Sequence, residues 1–360
     1  MKLTLVLLIT TILASNSMLP SDIFFQSPTL SSLNLYSLHK NHFIFDDDKN
    51  KVIIEEYKDE QGLIYWYRNI QTPVCLTGVC KEINVGIYWR INGAFLGYEV
   101  YGEPLTKTDH SVFQISDYLL LDTILSNNWS VLREYDFEEL LVDSTASVDG
   151  VTGATRKELA EEAVQDAVYT TYTLWHKVNQ GENEQLKRLS ARQLNSDSSF
   201  LEILLSRGKK EDLGLIMDLF AQGELNNHRL IDGLILDNLD NSNDNSLKEL
   251  SYKALVNVEF SDFNIQKELS NKFPLLKINE RMRVLNSMGE DINLGKDLYQ
   301  SLVKDLEDQN LWYVANVVKV IMKYPDQIEE VVNLIRGYRE SDNSLLNKMA
   351  NRFVQYHNIQ

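Results

Sequence analysis

The hydrophobic pattern changes character along this chain. Between about residues 50 and 101, short apolar runs rich in β-branched and aromatic residues occur at 63–67, 83–89 and 94–100. Asn92 and Gly93 separate the last two runs, and this dipeptide is a strong signal for a hairpin turn. The stretch therefore predicts an antiparallel meander of strands.

Helical periodicity follows the strands. Apolar residues recur at helical spacing within residues 111–141, at Val112, Ile115, Leu119, Leu120 and Ile124. A second helix is expected to open directly after Thr155 and to end at Gly181. Its apolar stripe comprises Leu159, Ala163, Val164, Ala167, Thr171 and Leu174.

Beyond residue 183 the pattern is helical to the end of the chain. Short amphipathic segments separated by Asn, Asp, Gly or Pro occur at 212–223, 227–239, 246–258, 264–272, 279–286, 295–306, 311–323, 327–338 and 344–356. This spacing resembles an array of helical hairpins, as in an α-solenoid of the HEAT type, and an irregular helical domain fits it equally well.

The predicted fold is α+β with an antiparallel sheet over residues 50–182, followed by an all-α region over 183–360. Residues 18–49 are rich in Ser and Asn and are interpreted as a linker or an N-terminal cover. The boundary between the two domains is expected at polar loops near residues 181–195.

The first 17 residues indicate an export signal. Lys2 precedes an apolar run over residues 3–13, and small residues follow at 14–17. The run is too short to span a bilayer comfortably, since spanning takes about 20 residues. We therefore expect a protein outside the cytoplasm, in the periplasm or on the extracytoplasmic face of the membrane. A buried first strand or helix is the alternative.

Charge and composition exclude some functions. The 360 residues carry a formal net charge of −17, and no basic stripe is visible. Nucleic acid is therefore not an expected partner, because phosphate backbones require one. Histidines, cysteines and carboxylates show no spacing typical of a metal site, so no metal is expected.

The two cysteines, Cys75 and Cys80, lie five positions apart. Disulfides persist outside the cytoplasm, and Gly78 would help the short loop to turn. The spacing allows a disulfide, and two free thiols or a metal-binding or redox-active pair remain as alternatives.

The segment that carries chemistry is residues 149–155, DGVTGAT. It resembles the flavinylation motif of the FMN-binding domain. That domain occurs in flavin-carrying subunits of the sodium-pumping NADH:quinone reductase and the Rnf complex, and in many extracytoplasmic redox proteins. Its fixed positions are matched by Asp149, Thr152, Gly153, Ala154 and Thr155, and the resemblance covers about residues 50–182.

The resemblance implies that Thr155 carries FMN as a phosphoester made by a flavin transferase. It also implies redox partner proteins, with a membrane-associated electron donor as a candidate. The segment 102–107 resembles a family loop near the flavin, where Lys107 could stabilise the reduced, anionic cofactor. A solvated loop lysine is the alternative. No catalytic acid or base stands out, which favours a redox carrier over a stand-alone enzyme.

The residues allow this interpretation on physical grounds. A helix opening after Thr155 would place unpaired N–H donors and the positive end of the helix dipole at a phosphate. Residues 155–158 also form a Thr-x-x-Glu capping box, so Thr155 could be only a helix cap. Tyr169, Tyr172 and His176 share one helical face and could contact a flavin ring or pack in the core.

Two other functions remain open. In the first, the helical region is a scaffold or binding protein and the β-rich domain is its platform. In the second, the protein is an oxidoreductase that reduces a substrate directly at the flavin, which would require an open pocket over the flavin edge.

Overall fold

The computed structural model describes residues 23–359 except 47–48, 76–79, 141–158, 160, 227–228, 242 and 290–291. Two compact units divide the chain. The first comprises Met1–Tyr57, Tyr65–Arg90 and Ala94–Asn183, and the second comprises Lys58–Ile64, Ile91–Gly93 and Glu184–Gln360.

A six-stranded antiparallel sheet forms the centre of the first unit. The strands are β1 (Ile23–Gln26), β2 (Tyr36–Phe45), β3 (Lys51–Lys58), β4 (Ile64–Pro73), β5 (Glu82–Arg90) and β6 (Phe95–Tyr101). Their order across the sheet is β1-β6-β5-β4-β3-β2. Together with the helices that follow, this sheet confirms the predicted α+β class.

The central strands pair in regular register. Strands β4 and β5 stay in phase from Tyr65 opposite Arg90 to Pro73 opposite Glu82. Strands β5 and β6 form the hairpin predicted around Asn92-Gly93, in which Gly93 has a φ of 76°. Glycine suits this left-handed conformation because it has no Cβ.

One sheet face packs on two helices, α2 (Ile115–Ser126) and α3 (Val168–Asn179). Trp66, Ile87 and Trp89 alternate onto this face and are fully buried. The indole of Trp89 donates to the carbonyl of Val178 at 3.0 Å. Large apolar side chains at every second position thus build the core of the first unit.

The predicted linker or cover over residues 18–49 is corrected over part of its length. Strands β1 and β2 and a short helix, α1 (Pro28–Ser31), lie within this segment. Both strands are sheet edges, and β2 buries only Ile44. An edge strand with so little burial need not show the apolar alternation that identifies a strand in sequence.

The face of helix α2 also differs from the prediction. Its buried residues are Tyr118, Leu121, Ile124 and Leu125, whereas Leu119 and Leu120 are about 40% exposed (42% and 43%). Apolar residues surround most of this helix, so periodicity alone does not determine its buried face. The Tyr118 side chain decides it, because its hydroxyl accepts a hydrogen bond from the backbone N–H of Leu105 at 2.9 Å.

The second unit is built from helices. In chain order the helices after α3 are α4 (Glu182–Ser196), α5 (Ser198–Arg207), α6 (Lys210–Ala221), α7 (Arg229–Asn238), α8 (Asn245–Ala254), α9 (Phe263–Lys272), α10 (Ile278–Met288), α11 (Lys296–Leu302), α12 (Leu311–Ile321), α13 (Glu329–Gly337) and α14 (Ser344–Tyr356). Each predicted segment overlaps one of α6 to α14, which confirms the all-α assignment.

Helices two apart in the chain pack on each other in this unit. The pairs include α6 with α8, α7 with α9, α9 with α11, α10 with α12 and α12 with α14. Within the residues that the structure describes, none of the helices combines the length and the apolar character that a membrane span requires.

The polar residues that mark the expected boundary, at 181–183 and 195–199, lie at the two ends of helix α4 and at the start of α5. The Asp197 carboxylate caps α5 by accepting from the backbone N–H groups of Ser199 and Phe200 at 3.0 and 3.2 Å. Residues that favour turns also favour helix N-caps, which is why they occur where one helix ends and the next begins.

Candidate functional site

The proposed attachment motif lies outside the described residues. This holds for Asp149, Thr152, Gly153, Ala154 and Thr155, and also for the expected export signal at residues 1–17. The nearest described residues on either side are Leu140 and Leu159, and both side chains are fully buried.

The segment downstream of the motif does not form the predicted continuous helix. Residues 161–167 form turns and bends, and α3 begins only at Val168. The Thr171 hydroxyl accepts from the N–H of Val164 at 3.2 Å and donates to the carbonyl of Ala167 at 3.0 Å. Thr171 thus ties the turns at residues 164–167 to the start of α3, and every residue of the predicted apolar stripe is buried.

One physical argument for the flavin is a helix dipole directed at the phosphate. The first α-helix that the structure describes after the motif begins 13 positions beyond Thr155. Residues 155–158 and 160 lie outside the described residues, so a helix opening directly after Thr155 stays a prediction.

The loop after β6 contacts the segment downstream of the motif. The backbone N–H and the hydroxyl of Thr108 both donate to the carbonyl of Asp166, at 2.7 and 2.8 Å. Asp166 has a φ of 59°, a conformation that few residues other than glycine, Asn and Asp adopt. The residue that follows the 102–107 loop thus lies against Asp166, 11 positions beyond Thr155.

Lys107, which the resemblance places near the flavin, lies among the described residues. Its ammonium lies 3.0 Å from a carboxylate oxygen of Asp117, and both side chains are mostly buried. The same oxygen accepts from the N–H of Gln114 at 2.8 Å and so caps α2. Lys107 is therefore not a solvated loop lysine, and its role toward a flavin stays a prediction.

The aromatic face of α3 packs against residues 131–139. Phe137 lies 4.8 Å from Tyr169 and 5.6 Å from Tyr172, measured between ring centroids. The Tyr172 hydroxyl donates to the carbonyl of Tyr135 at 2.9 Å, and a ring nitrogen of His176 lies 3.1 Å from the carbonyl of Leu132. Of the two roles left open for these rings, the structure assigns core packing.

Cys75 and Cys80 are joined by a disulfide where β4 and β5 meet their connecting turn. Their Cα atoms lie 6.0 Å apart. The N–H of Cys80 donates to the sulfur of Cys75 at 3.2 Å. The neighbouring Lys81 forms an ion pair with Glu103 in the loop after β6.

Two features escaped the sequence reasoning. One is a buried carboxylate, Glu99, which accepts from Gln26 at 2.7 Å and from Tyr88 at 3.0 Å. The other is a cavity of about 340 Å³ in the second unit, whose lining includes Phe263, Gln266 and Tyr324. The hydrogen bonds of Glu99 and the cavity are both formed by residues that are far apart in sequence, so no local sequence motif predicts them.

Metal ligands do not converge in the described part of the chain. Among residues 23–359, leaving out the gaps given above, no group of three or more His, Cys, Asp or Glu side chains is placed to hold a metal ion.

Comparison with known proteins adds no relative. Scans against family models, curated proteins and solved structures return no match to this chain. The residues themselves therefore carry the functional argument.

Proposed function

We propose that this protein is an extracytoplasmic electron-transfer protein that carries FMN through a phosphoester on Thr155. The observation that carries the proposal is the segment 149–155, in which Asp149, Thr152, Gly153, Ala154 and Thr155 match the fixed positions of the flavinylation motif. Bound FMN supplies the ability to accept and donate one or two electrons, and the protein supplies attachment and orientation.

The chain's own residues have distinct roles in this proposal. Thr155 provides the hydroxyl for attachment, and Gly153 allows close approach of the backbone to a phosphate. Thr108 holds the 102–107 loop against Asp166. Leu159, four positions beyond Thr155, is buried in the core of the first unit and anchors the chain after the motif.

A covalent bond is useful to an exported carrier because it prevents loss of the cofactor. The partners implied are a flavin transferase for maturation and redox proteins for electron exchange, with a membrane-associated donor among them. A carrier is favoured over a direct reductase because electron transfer by bound FMN needs no catalytic acid or base from the protein.

A helical scaffold or binding protein is the second candidate, in which Thr155 only caps a helix. The cavity in the second unit favours it, because its volume lies within the range of ligand sites. Packing between helices two apart in the chain also suits a HEAT-like array, which would offer an extended binding surface.

The test is an intact mass of the exported protein after co-expression with a flavin transferase. The wild type should gain the mass of one FMN less one water, and Thr155→Ala should not. Thr145→Ala is the matched control, because Thr145 lies in the same stretch but outside the motif, and it should be modified like the wild type. An unmodified, colourless wild type beside an active transferase would favour the scaffold.

A further inference from the structure

The disulfide between Cys75 and Cys80 links strands that are already held together. Strands β4 and β5 pair without a register shift as far as Pro73 opposite Glu82, close to the bond. The bond closes a ring across a sequence separation of 5. By chain entropy such a short ring constrains the unfolded chain less than a bridge across a longer loop does. Structural need is a weak reason for this bond.

The surroundings of the bond suit sulfur chemistry. Both cysteines are partly accessible to solvent, and the side chains of Lys81 and Glu103 beside them are about 70% exposed (70% and 72%). The N–H of Cys80 points at the sulfur of Cys75. A hydrogen bond to a thiolate, like a nearby positive charge, stabilises the charged form. The Cys75 sulfur is therefore the better leaving group of the two.

We propose that Cys75 and Cys80 form a thiol–disulfide exchange site for a partner dithiol. A partner thiolate attacks the sulfur of Cys80, the Cys75–Cys80 bond breaks, and Cys75 leaves as a thiolate that accepts from the N–H of residue 80. The second partner thiol then attacks the partner's own sulfur in the mixed disulfide and releases Cys80. Both cysteines end protonated, and the partner ends as a disulfide.

The exchange balances without any further reactant. Two electrons pass from the partner dithiol to the protein, and the two protons lost by the partner are taken up by the two cysteines. The reverse reaction oxidises the protein and reduces the partner. The site stands independently of the FMN proposal, because none of its steps involves Thr155.

The first test uses the wild-type full chain and dithiothreitol as the probe dithiol. In native buffer, alkylation and intact mass should reveal two free thiols while the far-UV circular dichroism is unchanged. The reduction rate should lie within about ten-fold of the rate for the chain unfolded in guanidinium, as expected for accessible sulfurs. A bond that resists reduction until the protein unfolds would overturn the proposal.

The second test compares two single variants and decides the direction of attack. Cys80→Ser keeps the backbone N–H that faces the Cys75 sulfur, whereas Cys75→Ser leaves Cys80 without that donor. The pH dependence of alkylation should show a lower pKa for Cys75 than for Cys80, and therefore more thiolate on Cys75 at neutral pH. Equal values, or the reverse order, would overturn the assignment of Cys75 as the leaving group.

Discussion

Of the buried carboxylates in this protein, Glu99 in the first unit and Asp232 in the second differ in how their oxygens are satisfied. Glu99 on β6 and Asp232 on α7 are 5% and 2% exposed. Glu99 accepts from Gln26 through one oxygen and from Tyr88 and Tyr101 through the other. Asp232 accepts from the backbone N–H of Glu259, but its Oδ1 atom has no partner among the described residues. Two carboxylates that are buried to a similar extent can therefore differ in their effect on the stability of the fold.

The difference follows from the architecture around each group. On a sheet, residues at alternate positions of neighbouring strands project to the same face, so β5 and β6 can bring several hydroxyls to one carboxylate. Asp232 lies on α7, and two further acids outside this helix, Glu259 and Asp262, repel its negative charge. Burial first, and then these acids, raise the pKa of Asp232 to about 6.

The largest expected effect comes from removing the satisfied carboxylate. Glu99→Leu leaves the amide of Gln26 and two tyrosine hydroxyls without their acceptor in a buried site. We expect a loss of about 3–5 kcal/mol in the free energy of unfolding, since each unpaired donor costs about 1–3 kcal/mol. Urea denaturation followed by tyrosine fluorescence measures it.

Glu99→Gln is the control for this variant. It removes the charge but keeps one acceptor oxygen, so it should cost less than Glu99→Leu. If Glu99→Gln and Glu99→Leu were equally stable, the hydrogen bonds to Glu99 would not be what stabilises this face of the sheet.

Crowding beside the same network gives a second test. A Cβ added at Gly86 would lie 2.6 Å from a ring carbon of Tyr67 and 2.7 Å from the hydroxyl oxygen of Tyr101. Overpacking a core of this kind costs about 1–3 kcal/mol, and Gly86→Ala should fall at the upper end because two rings must move.

Gly233→Ala is the matched control in the helical unit. Gly233 lies within α7, and a Cβ there meets nothing within 4 Å. Alanine should therefore stabilise the helix by up to about 1 kcal/mol. Thermal unfolding compares the two glycine variants, and a shift of the same sign for both would contradict the steric account.

Removing the charge of Asp232 should stabilise the protein, whereas replacing Glu99 should destabilise it. The pKa of Asp232 is raised from 3.8 to about 6 by folding, chiefly by burial. Below pH 4 the group is protonated in both states and costs nothing. Between about pH 4 and 6 the unfolded chain releases a proton that the folded chain keeps, so stability is lost as the pH rises through this window.

Asp232→Asn should therefore stabilise the protein at pH 7.5 by about 1–2 kcal/mol and flatten this pH dependence. The full linkage value is about 3 kcal/mol, and the amide regains less because it still leaves one polar group unpaired. Calorimetry at several values between pH 4 and pH 8 is the measurement. A variant whose stability still falls over pH 4–6 as in the wild type would show that another group is responsible.

The two units also differ in how far sequence reasoning reached. The helical unit was predictable from α6 onward because each helix has an apolar stripe bounded by polar residues. Helix α4 was missed because it is mostly polar, with Leu186, Leu189 and Leu194 among its few buried apolar residues. The central strands could be predicted from the alternation of apolar and polar residues, whereas the edge strands β1 and β2 could not.

Only part of the candidate site could be predicted from the sequence, because only part of it is a local motif. The 149–155 motif is local, so it can be recognised without a structure. Thr108 donates to Asp166, which is distant in the chain, and the N–H of Val164 donates to the hydroxyl of Thr171 at a non-helical spacing. The local sequence pattern does not indicate either bond. Local propensity favoured a helix over residues 161–167, and tertiary hydrogen bonds prevailed.

The smallest expected effect concerns Lys107, where the flavin proposal and the structure meet. Lys107→Met keeps the apolar stem but removes the ion pair with Asp117. The carboxylate would still accept from the N–H of Gln114 at the start of α2. We therefore expect a loss below about 1 kcal/mol, measured by urea denaturation.

A second readout separates the two roles of Lys107. In flavinylated protein, a cation near the flavin would favour the reduced, anionic cofactor, so Lys107→Met should lower its midpoint potential. Asp117→Asn is the control, because it frees the lysine while keeping an oxygen for the cap, and it should raise the potential instead. Unchanged potentials in both variants would confine Lys107 to its ion pair with Asp117.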